Sequence, residues 1–271
     1  MSYWHHKTAI ITGGSSGLGR ALAEALAAGG ARLVLAARNG DRLQAVADRL
    51  REEGGEVHAV AADITRQEDV QRLFTEAADR FGNLDLLANC AGRSSRASVL
   101  DTTADEVREL MELNLLGTIR CTRAALPRLI ETKGHLVNIG SLASKAATPY
   151  HGGYPATKSA VAAYTQQLRL TLAPEGVHVL LVCPGPIAAA GDKPAASNRP
   201  VDDNVPEAAQ RPGAGAKLSA IDPHRLAARI ITACERRRPE LVVPARARLL
   251  FALSALSPRL GDWLLRRFSA T

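Results

Sequence analysis

Short aliphatic runs alternate with longer segments of helical period along most of this chain. Residues 8–12 are apolar or β-branched at every position, the pattern of a strand covered on both faces. Residues 18–28 follow with Leu22 and Leu26 four apart, which places them on one face of a helix. The same pair of signals then recurs. Strand 32–37 precedes a charged amphipathic helix at 41–53, strand 56–60 precedes helix 67–81, and strand 84–88 precedes helix 103–129. Strand 135–140 precedes helix 153–172, and strands 177–182 and 241–243 complete the series. Strands separated by helices are joined by right-handed crossovers. The pattern therefore predicts a single doubly wound α/β domain over residues 1–271, with a seven-stranded parallel sheet and helices on both faces. A ligand belongs beyond the carboxyl ends of its strands.

Two stretches depart from this rhythm. Residues 188–217 are rich in Pro, Gly, Asn and Ala, have no period and follow a strand's carboxyl end, so they are expected to form a lid over the substrate. Residues 245–271 carry Leu249, Leu250, Leu253, Leu256, Leu260, Trp263, Leu264 and Phe268 at helical spacing, interrupted by Pro258 and interleaved with arginines. This spacing suits a C-terminal amphipathic helical segment. It can pack on the core or on another subunit, or make peripheral contact with an anionic membrane.

Composition narrows the class. Hydrophobic residues at 46% and charged residues at 23% exclude wholesale disorder, and aromatics at 4% require an aliphatic core. No apolar run reaches the length of a bilayer span. The first seven residues lack the apolar stretch of a secretion signal, and with His5 and His6 they read as a flexible terminus of a cytoplasmic protein. Cys90, Cys121, Cys183 and Cys234 lie far apart without a Cys-x-x-Cys pair, so free packed thiols are expected and no metal site. The net charge of +7 gathers partly in Arg236, Arg237, Arg238, Arg246, Arg248, Arg259, Arg266 and Arg267. Without an aromatic stacking surface these arginines do not suggest nucleic acid, and they read as a solvated face biased toward anions.

Candidate chemistry begins where the first strand runs into Thr12-Gly13-Gly14-Ser15-Ser16-Gly17-Leu18-Gly19 and a helix. Glycines at such a turn let backbone N–H groups and the helix dipole meet a pyrophosphate, here from Gly13, Ser15, Ser16, Gly17, Leu18 and Gly19. At the end of the second strand, sites for NAD place a carboxylate against the adenosine ribose. This chain has Ala36-Ala37-Arg38-Asn39 instead. The Arg38 guanidinium can pair with a 2′-phosphate, with Ser15 and Asn39 as supporting donors, so NADP(H) is expected rather than NAD(H).

Further motifs follow in order: Asn89-Cys-Ala-Gly92, Asn114, Ser141, Tyr154-Pro-Ala-Thr-Lys158 and Pro184-Gly185. Together with the glycine turn, over roughly residues 7–187, the set resembles the short-chain dehydrogenase/reductase family and its Rossmann fold. The Gly-Gly-Ser-Ser-Gly turn and Ala37-Arg38-Asn39 look most like NADPH-linked members related to hydroxysteroid dehydrogenases and ketosphinganine reductases. Tyr154 and Lys158, four apart on a helix, share a face. A phenol is a poor base at neutral pH, and a nearby ammonium together with oxidised nicotinamide is expected to lower its pKa. Tyr154 is then the acid/base, and Ser141 the hydrogen-bond partner of the substrate oxygen.

The resemblance implies further roles. Lys158 also holds the nicotinamide ribose, and Asn114 anchors a water in a proton relay. Asp63 bonds the adenine amino group or caps the segment from Thr65, with Ile64 packing beside the ring. Asn89, Ala91 and Gly92 border the adenosine ribose, Cys90 replacing a second Asn that many relatives have. Pro184, Gly185 and the Ile187 backbone meet the nicotinamide. Ala188-Ala-Ala190 stands where the family commonly has a Thr on the cofactor, and the lost hydroxyl costs about 1 kcal/mol if uncompensated. His151, three residues before Tyr154, lies close enough to touch substrate.

The expected activity is reversible hydride transfer between NADP(H) and a ketone or secondary alcohol, as a carbonyl reductase on a small hydrophobic molecule. The resemblance also implies a homodimer or homotetramer through the helices around 103–129 and 153–172. A catalytically silent dinucleotide-binding sensor or scaffold is the alternative. A sugar-nucleotide epimerase is a third reading, and such relatives need a longer substrate domain.

Overall fold

The strands that the apolar runs form hydrogen-bond into one parallel sheet of order β3-β2-β1-β4-β5-β6-β7. In a computed structural model describing residues 2–188 and 218–268, these are β1 Thr8–Thr12, β2 Arg32–Ala37, β3 Glu56–Ala61, β4 Leu86–Asn89, β5 His135–Ile139, β6 His178–Pro184 and β7 Glu240–Val243. The helices between them are α1 Gly17–Ala28, α2 Gly40–Glu52, α3 Gln67–Phe81, α4 Ala104–Met111, α5 Gly117–Thr132 and α6 Tyr154–Leu172. After the undescribed stretch come α7 Pro223–Glu235, α8 Ala247–Leu256 and α9 Pro258–Phe268.

Successive strand side chains point to opposite faces, so each strand feeds two aliphatic layers. Ile11, Leu33, Leu35 and Ala88 pack with α1, α2 and α7 on one face. Ile10, Val34, Ala36 and Leu87 pack with α3, α5 and α6 on the other. The chain order reverses between β1 and β4, and the crevice opens beyond their carboxyl ends.

Three elements differ from the sequence expectation. The helix expected at 103–129 is interrupted by a five-residue π-helical turn, Glu112–Leu116, that separates α4 from α5 and contains Asn114. Helix α7 was not expected at all. It starts at Pro223 behind Asp222, whose carboxylate accepts from the Arg225 N–H at 2.8 Å, and it buries Leu226, Ile230 and Cys234. The N-terminal segment is not a loose tail. Trp4 is 2% exposed, its indole N–H donates to Glu235 at 3.0 Å, and the His6 N–H donates to the Gly30 carbonyl at 2.9 Å. Of the expected lid, all but Ala188 lies outside the described residues.

At the amino edge of the sheet, β5 and β6 each begin with a buried histidine. His178 Nε2 lies 2.7 Å from the Arg238 carbonyl, so it must carry the proton, and Nδ1 of a neutral ring is then an acceptor. His135 Nδ1, 2.9 Å away, therefore donates, and His135 Nε2 accepts from the Tyr3 hydroxyl at 2.7 Å. Cys234 brings a third potential metal ligand, its ligand atom and theirs all lying within 4.8 Å. Cysteine spacing could not have announced this group, because its members come from three separate elements. All four ring nitrogens are already engaged by protein groups.

Candidate active site

The glycine turn leaves β1 with Gly13 in the left-handed region (φ +71°), its N–H donating to the Ala36 carbonyl at 2.7 Å. A Cβ there would meet the Ala91 backbone at 3.0 Å, and one at Gly19 would strike the Gly13 carbonyl, so both positions require glycine for close approach. Gly17 has φ +52° and open space on the side a Cβ would occupy. Ser16 is the N-cap of α1 but makes no side-chain cap bond, and the first helical turn holds no acidic residue. An uncompensated helix N-terminus behind an open glycine turn fits an anion, which is the condition a dinucleotide pyrophosphate sets. The Thr12 hydroxyl accepts from the Cys90 and Ala91 N–H groups, each at 3.1 Å, and so draws the β4 loop against this turn.

Arg38, just past β2, is exposed, with no carboxylate in ion-pair range among the described residues. Asn39 caps α2, its Oδ1 accepting from the Arg42 N–H at 2.8 Å, which leaves its amide N–H groups as donors. Asp63 takes both the N–H and the hydroxyl of Thr65 on one oxygen, at 3.0 and 2.8 Å. Ile64 is buried against Gly117, where a Cβ would come within 2.7 Å of it, so little of its side chain is left for a ring. Asn89, at the end of β4, donates to Asn138 at 2.8 Å and Thr122 at 3.2 Å, while its Oδ1 is buried without a protein partner.

The π-helical turn gives Asn114 its position. Its amide donates to the Arg93 carbonyl at 2.9 Å and to the Thr157 hydroxyl at 3.0 Å, and its Oδ1 accepts from the Arg93 N–H at 2.9 Å. Thr118 donates to the Asn114 main-chain carbonyl at 2.9 Å. Thr157 in turn donates to the Tyr154 carbonyl at 2.9 Å. The side chain expected to anchor a water is thus also a brace between the loop after β4 and the first turn of α6. Gly92 makes room for it: a Cβ there would lie 3.0 Å from Asn114 Oδ1 and 3.4 Å from Lys158 Nζ.

Ser141, Tyr154 and Lys158 line one cleft of about 330 Å³ at the carboxyl edge of the sheet, with Gly92, Pro184, Gly185 and Ile187 on its border. Ser141 stands just past β5 as the N-cap of a short 3₁₀ turn, its Oγ accepting from the Ala143 N–H at 3.1 Å. Tyr154 opens α6, and Lys158 one turn later donates to the Ile139 carbonyl at 2.7 Å, its Nζ 5.9 Å from the Tyr154 ring centre. Ile187 forms a parallel bridge to Ile221 through the Ile221 N–H to Pro186 and the Ala188 N–H to Ile221. The N–H and carbonyl of Ile187 itself face away from that bridge. The position of the missing Thr, from residue 189 on, lies outside the described residues.

Electrostatics in the cleft differ from the sequence expectation. Burial pushes the Tyr154 phenol above its ordinary pKa, while the Ser141 hydroxyl and the Arg96 guanidinium pull it down. Lys158 is itself lowered to about 8 by burial. A protein cation that sequence reasoning missed, Arg96, thus also acts on the phenol. Arg96 sits in an irregular loop outside every periodic segment, and no spacing marks it. His151 is no surface group: it is 8% exposed, its ring accepts or donates at 2.6 Å to Thr148, and burial lowers it to about 4, so it is neutral near pH 7. Cys90 and Cys183 flank Lys158, their thiols pushed up to about 12 and about 11 by burial.

Known proteins place this geometry. The family model described as short chain dehydrogenase matches residues 7–200. An oxidoreductase of Staphylococcus aureus (strain MRSA252), named as uncharacterized, is 40% identical over 186 residues, 68% of this chain and 80% of its own length. A short-chain dehydrogenase/reductase from Burkholderia phymatum, solved with NAD, superposes with a TM-score of 0.81 at 27% identity, covering 96% of each chain. L-Sorbose reductase from Gluconobacter frateurii, solved with NADPH and L-sorbose, gives a TM-score of 0.77 at 26% identity, covering 88% of this chain and 95% of that one. With the sheet order, the glycine turn and the Ser141, Tyr154 and Lys158 cleft in place, the chain belongs to the short-chain dehydrogenase/reductase family and is an oxidoreductase.

Proposed function

We propose that this protein is an NADP(H)-dependent carbonyl reductase, or in reverse an alcohol dehydrogenase, acting on a hydrophobic ketone or secondary alcohol. The observation that carries the reading is the convergence of Ser141, Tyr154 and Lys158 in one cleft beside the glycine turn. Nicotinamide, when bound, supplies the hydride and, oxidised, a positive charge near the phenol. Tyr154 gives its proton to the substrate oxygen as the carbonyl is reduced and takes it back on oxidation. Ser141 hydrogen-bonds the same oxygen and fixes it against Tyr154. Lys158 holds the nicotinamide ribose through Nζ, and the free N–H and carbonyl of Ile187 hold the carboxamide. Asn114 keeps the Arg93 loop and α6 in register and carries the water of the proton relay. Asp63 borders the adenine, with Ile64 offering it only the small part of its side chain that Gly117 leaves uncovered, and Asn89, Ala91 and Gly92 border the adenosine side.

Arg38 is the reason for preferring NADP(H). An exposed guanidinium just past β2 with no ion-pair partner among the described residues is suited to a 2′-phosphate, and Ser15 and the Asn39 amide can add donors. Both cofactors occur among the structural relatives, so the preference rests on this residue and not on them. The likeness to hydroxysteroid dehydrogenases and ketosphinganine reductases rests on the Gly-Gly-Ser-Ser-Gly turn and on Ala37-Arg38-Asn39. We further propose a cytoplasmic enzyme, a dimer or tetramer through α4, α5 and α6. Peripheral membrane contact belongs to the outer face of α8 and α9, where Leu249, Leu256 and Trp263 are exposed beside Arg259 and Arg266. No helix among the described residues is long and apolar enough to cross a membrane.

The test is steady-state oxidation of NADPH and NADH over a panel of ketones. NADPH should be preferred, and Arg38→Asp should reduce that preference 10- to 100-fold, the loss of one charge-assisted contact of about 1.5–3 kcal/mol. An unchanged preference removes the 2′-phosphate argument, and no turnover with any carbonyl removes the activity.

A further inference from the structure

The catalytic cleft does not end at Ser141 and Tyr154. Four residues on its wall, Leu142, Ala146, Thr148 and Leu218, also line a second cavity of about 580 Å³, larger than the cleft itself. The rest of that cavity is built by Pro244 and by the helix pair α8–α9, chiefly Leu250, Phe251, Leu253 and Leu264. These side chains are half-buried, and Phe251 also packs on the core beside Cys183 and Val242. The two helices close on each other where Gly261 meets Ser254: a Cβ on Gly261 would lie 2.9 Å from the serine side chain. Glycine there lets α9 lie near enough to α8 for Leu264 to join the wall.

The chemistry of the wall selects the occupant. Arg246 is its only charged residue among those described, and the one hydroxyl side chain, Thr148, is engaged by His151 Nδ1 at 2.6 Å. A polyhydroxylated molecule placed here would lose hydrogen bonds to water and find side-chain partners only at Arg246, a loss that penalises binding. An aliphatic chain loses nothing and gains its transfer from water. We propose that the second cavity is a tail-binding site, and that the substrate is a ketone or secondary alcohol carrying a long unbranched aliphatic chain, with its oxygen at Ser141 and Tyr154 and its tail between the 3₁₀ turn Leu142–Ser144 and the α8–α9 pair. The assignment rests on the carbonyl-reductase reading above and goes beyond it in naming the substrate class.

The decisive measurement is kcat/KM for straight-chain 2-ketones from butan-2-one to dodecan-2-one, on the full chain with NADPH in excess. Each added methylene that enters the cavity should raise kcat/KM about fourfold, the equivalent of ~0.8 kcal/mol per buried CH₂. Leu253→Trp and Leu250→Trp, which fill the cavity without touching the cleft, should flatten this gradient and leave butan-2-one turnover unchanged; that unchanged turnover also shows that the variants are folded. Without cofactor, dodecan-2-ol should raise the melting temperature of the native chain and not that of Leu253→Trp. A series flat or falling with chain length overturns the tail site while the reductase reading stands. A gradient that survives both tryptophans places the tail elsewhere and also overturns it. If no ketone of any length is reduced, the reading beneath it fails as well.

Discussion

Tyr3 and Tyr154 stand at opposite edges of the same sheet, and each points its hydroxyl at a buried or half-buried polar group. At the amino edge, Tyr3, His135, His178 and the Arg238 carbonyl form a closed series in which each donor has one acceptor and the last acceptor is backbone. At the carboxyl edge, Tyr154, Ser141, Lys158 and Arg96 line one common cleft. Each place sets a tyrosine hydroxyl among other polar groups. A polar group that closes its hydrogen bonds on the protein contributes to the fold, whereas one aimed into a cleft with capacity to spare is placed for a ligand.

The sharpest way to break this comparison is to remove both hydroxyls in turn. Tyr154→Phe should lower kcat by 10²- to 10⁴-fold, the usual contribution of a positioned acid or base, while the melting temperature stays within a few degrees. Tyr3→Phe should do the opposite. It loses one hydrogen bond to His135, about 1 kcal/mol of stability, and leaves kcat unchanged. Paired kinetics and thermal melts decide the matter. Equal kinetic losses would mean that the two edges are not functionally distinct.

Acid sharpens it next. Burial lowers His135 to about 3, with His178, Arg237 and Lys7 adding to the effect, and burial lowers His178 as well. A base depressed in the folded state stays neutral there while the unfolded chain takes up a proton below about pH 6.5. The stability is therefore fully present above that value and is lost as the pH falls toward 3. Each such histidine contributes a slope of up to about 1.4 kcal/mol per pH unit in that window. Geometry adds to burial at His178, where a second proton would fall on Nδ1 and set two N–H groups against each other across 2.9 Å. Urea unfolding at pH 5 and pH 8 measures the slope. His135→Phe should lower stability at pH 8 by about 1–3 kcal/mol, because it strands the Tyr3 hydroxyl and His178 Nδ1, and should reduce the slope. A variant with an undiminished slope would move the acid sensitivity to His151, which is lowered to about 4.

The two edges were also unequally legible. The carboxyl edge could be read from sequence because its chemistry is local. Gly13 to Gly19 is one turn, Tyr154 and Lys158 are one helical turn apart, and Ser141 follows a strand. The strands themselves were fixed by alternating burial in two layers, which a run such as 32–37 announces in six residues. The amino edge was invisible because its members, Tyr3, His135, His178 and Cys234, meet only after the sheet has formed. Even so, Tyr3 and Trp4 are conspicuous in a chain with so few aromatics, and that scarcity was a usable sign of a packed terminus. Helix α7 had its own signal in Asp222-Pro223 followed by Leu226 and Ile230, an N-cap and N1 proline before an apolar face. The π-helical turn at Asn114 had none, since one residue more per turn leaves the apolar pattern almost unchanged.

Arg96 is the finest test, because it is a charge of the cleft wall that acts on the phenol and that no local pattern predicts. Burial raises the Tyr154 phenol, and Ser141 and Arg96 oppose that rise. Replacing the guanidinium by the uncharged Arg96→Gln removes one opposing influence and leaves burial less balanced, so the phenol should become a weaker acid. Alcohol oxidation needs the phenolate, and its rising limb should shift to higher pH. Ketone reduction needs the phenol, and its falling limb should move in the same direction, extending activity toward alkaline pH. Arg96→Lys keeps the charge and should restore both limbs, an outcome that a merely structural role for the loop would not produce. The measurement is kcat/KM against pH in the two directions. If Arg96→Gln lowers the rates but leaves both limbs where they were, the guanidinium acts on substrate or loop geometry, and the phenol is tuned by Ser141 and burial without it.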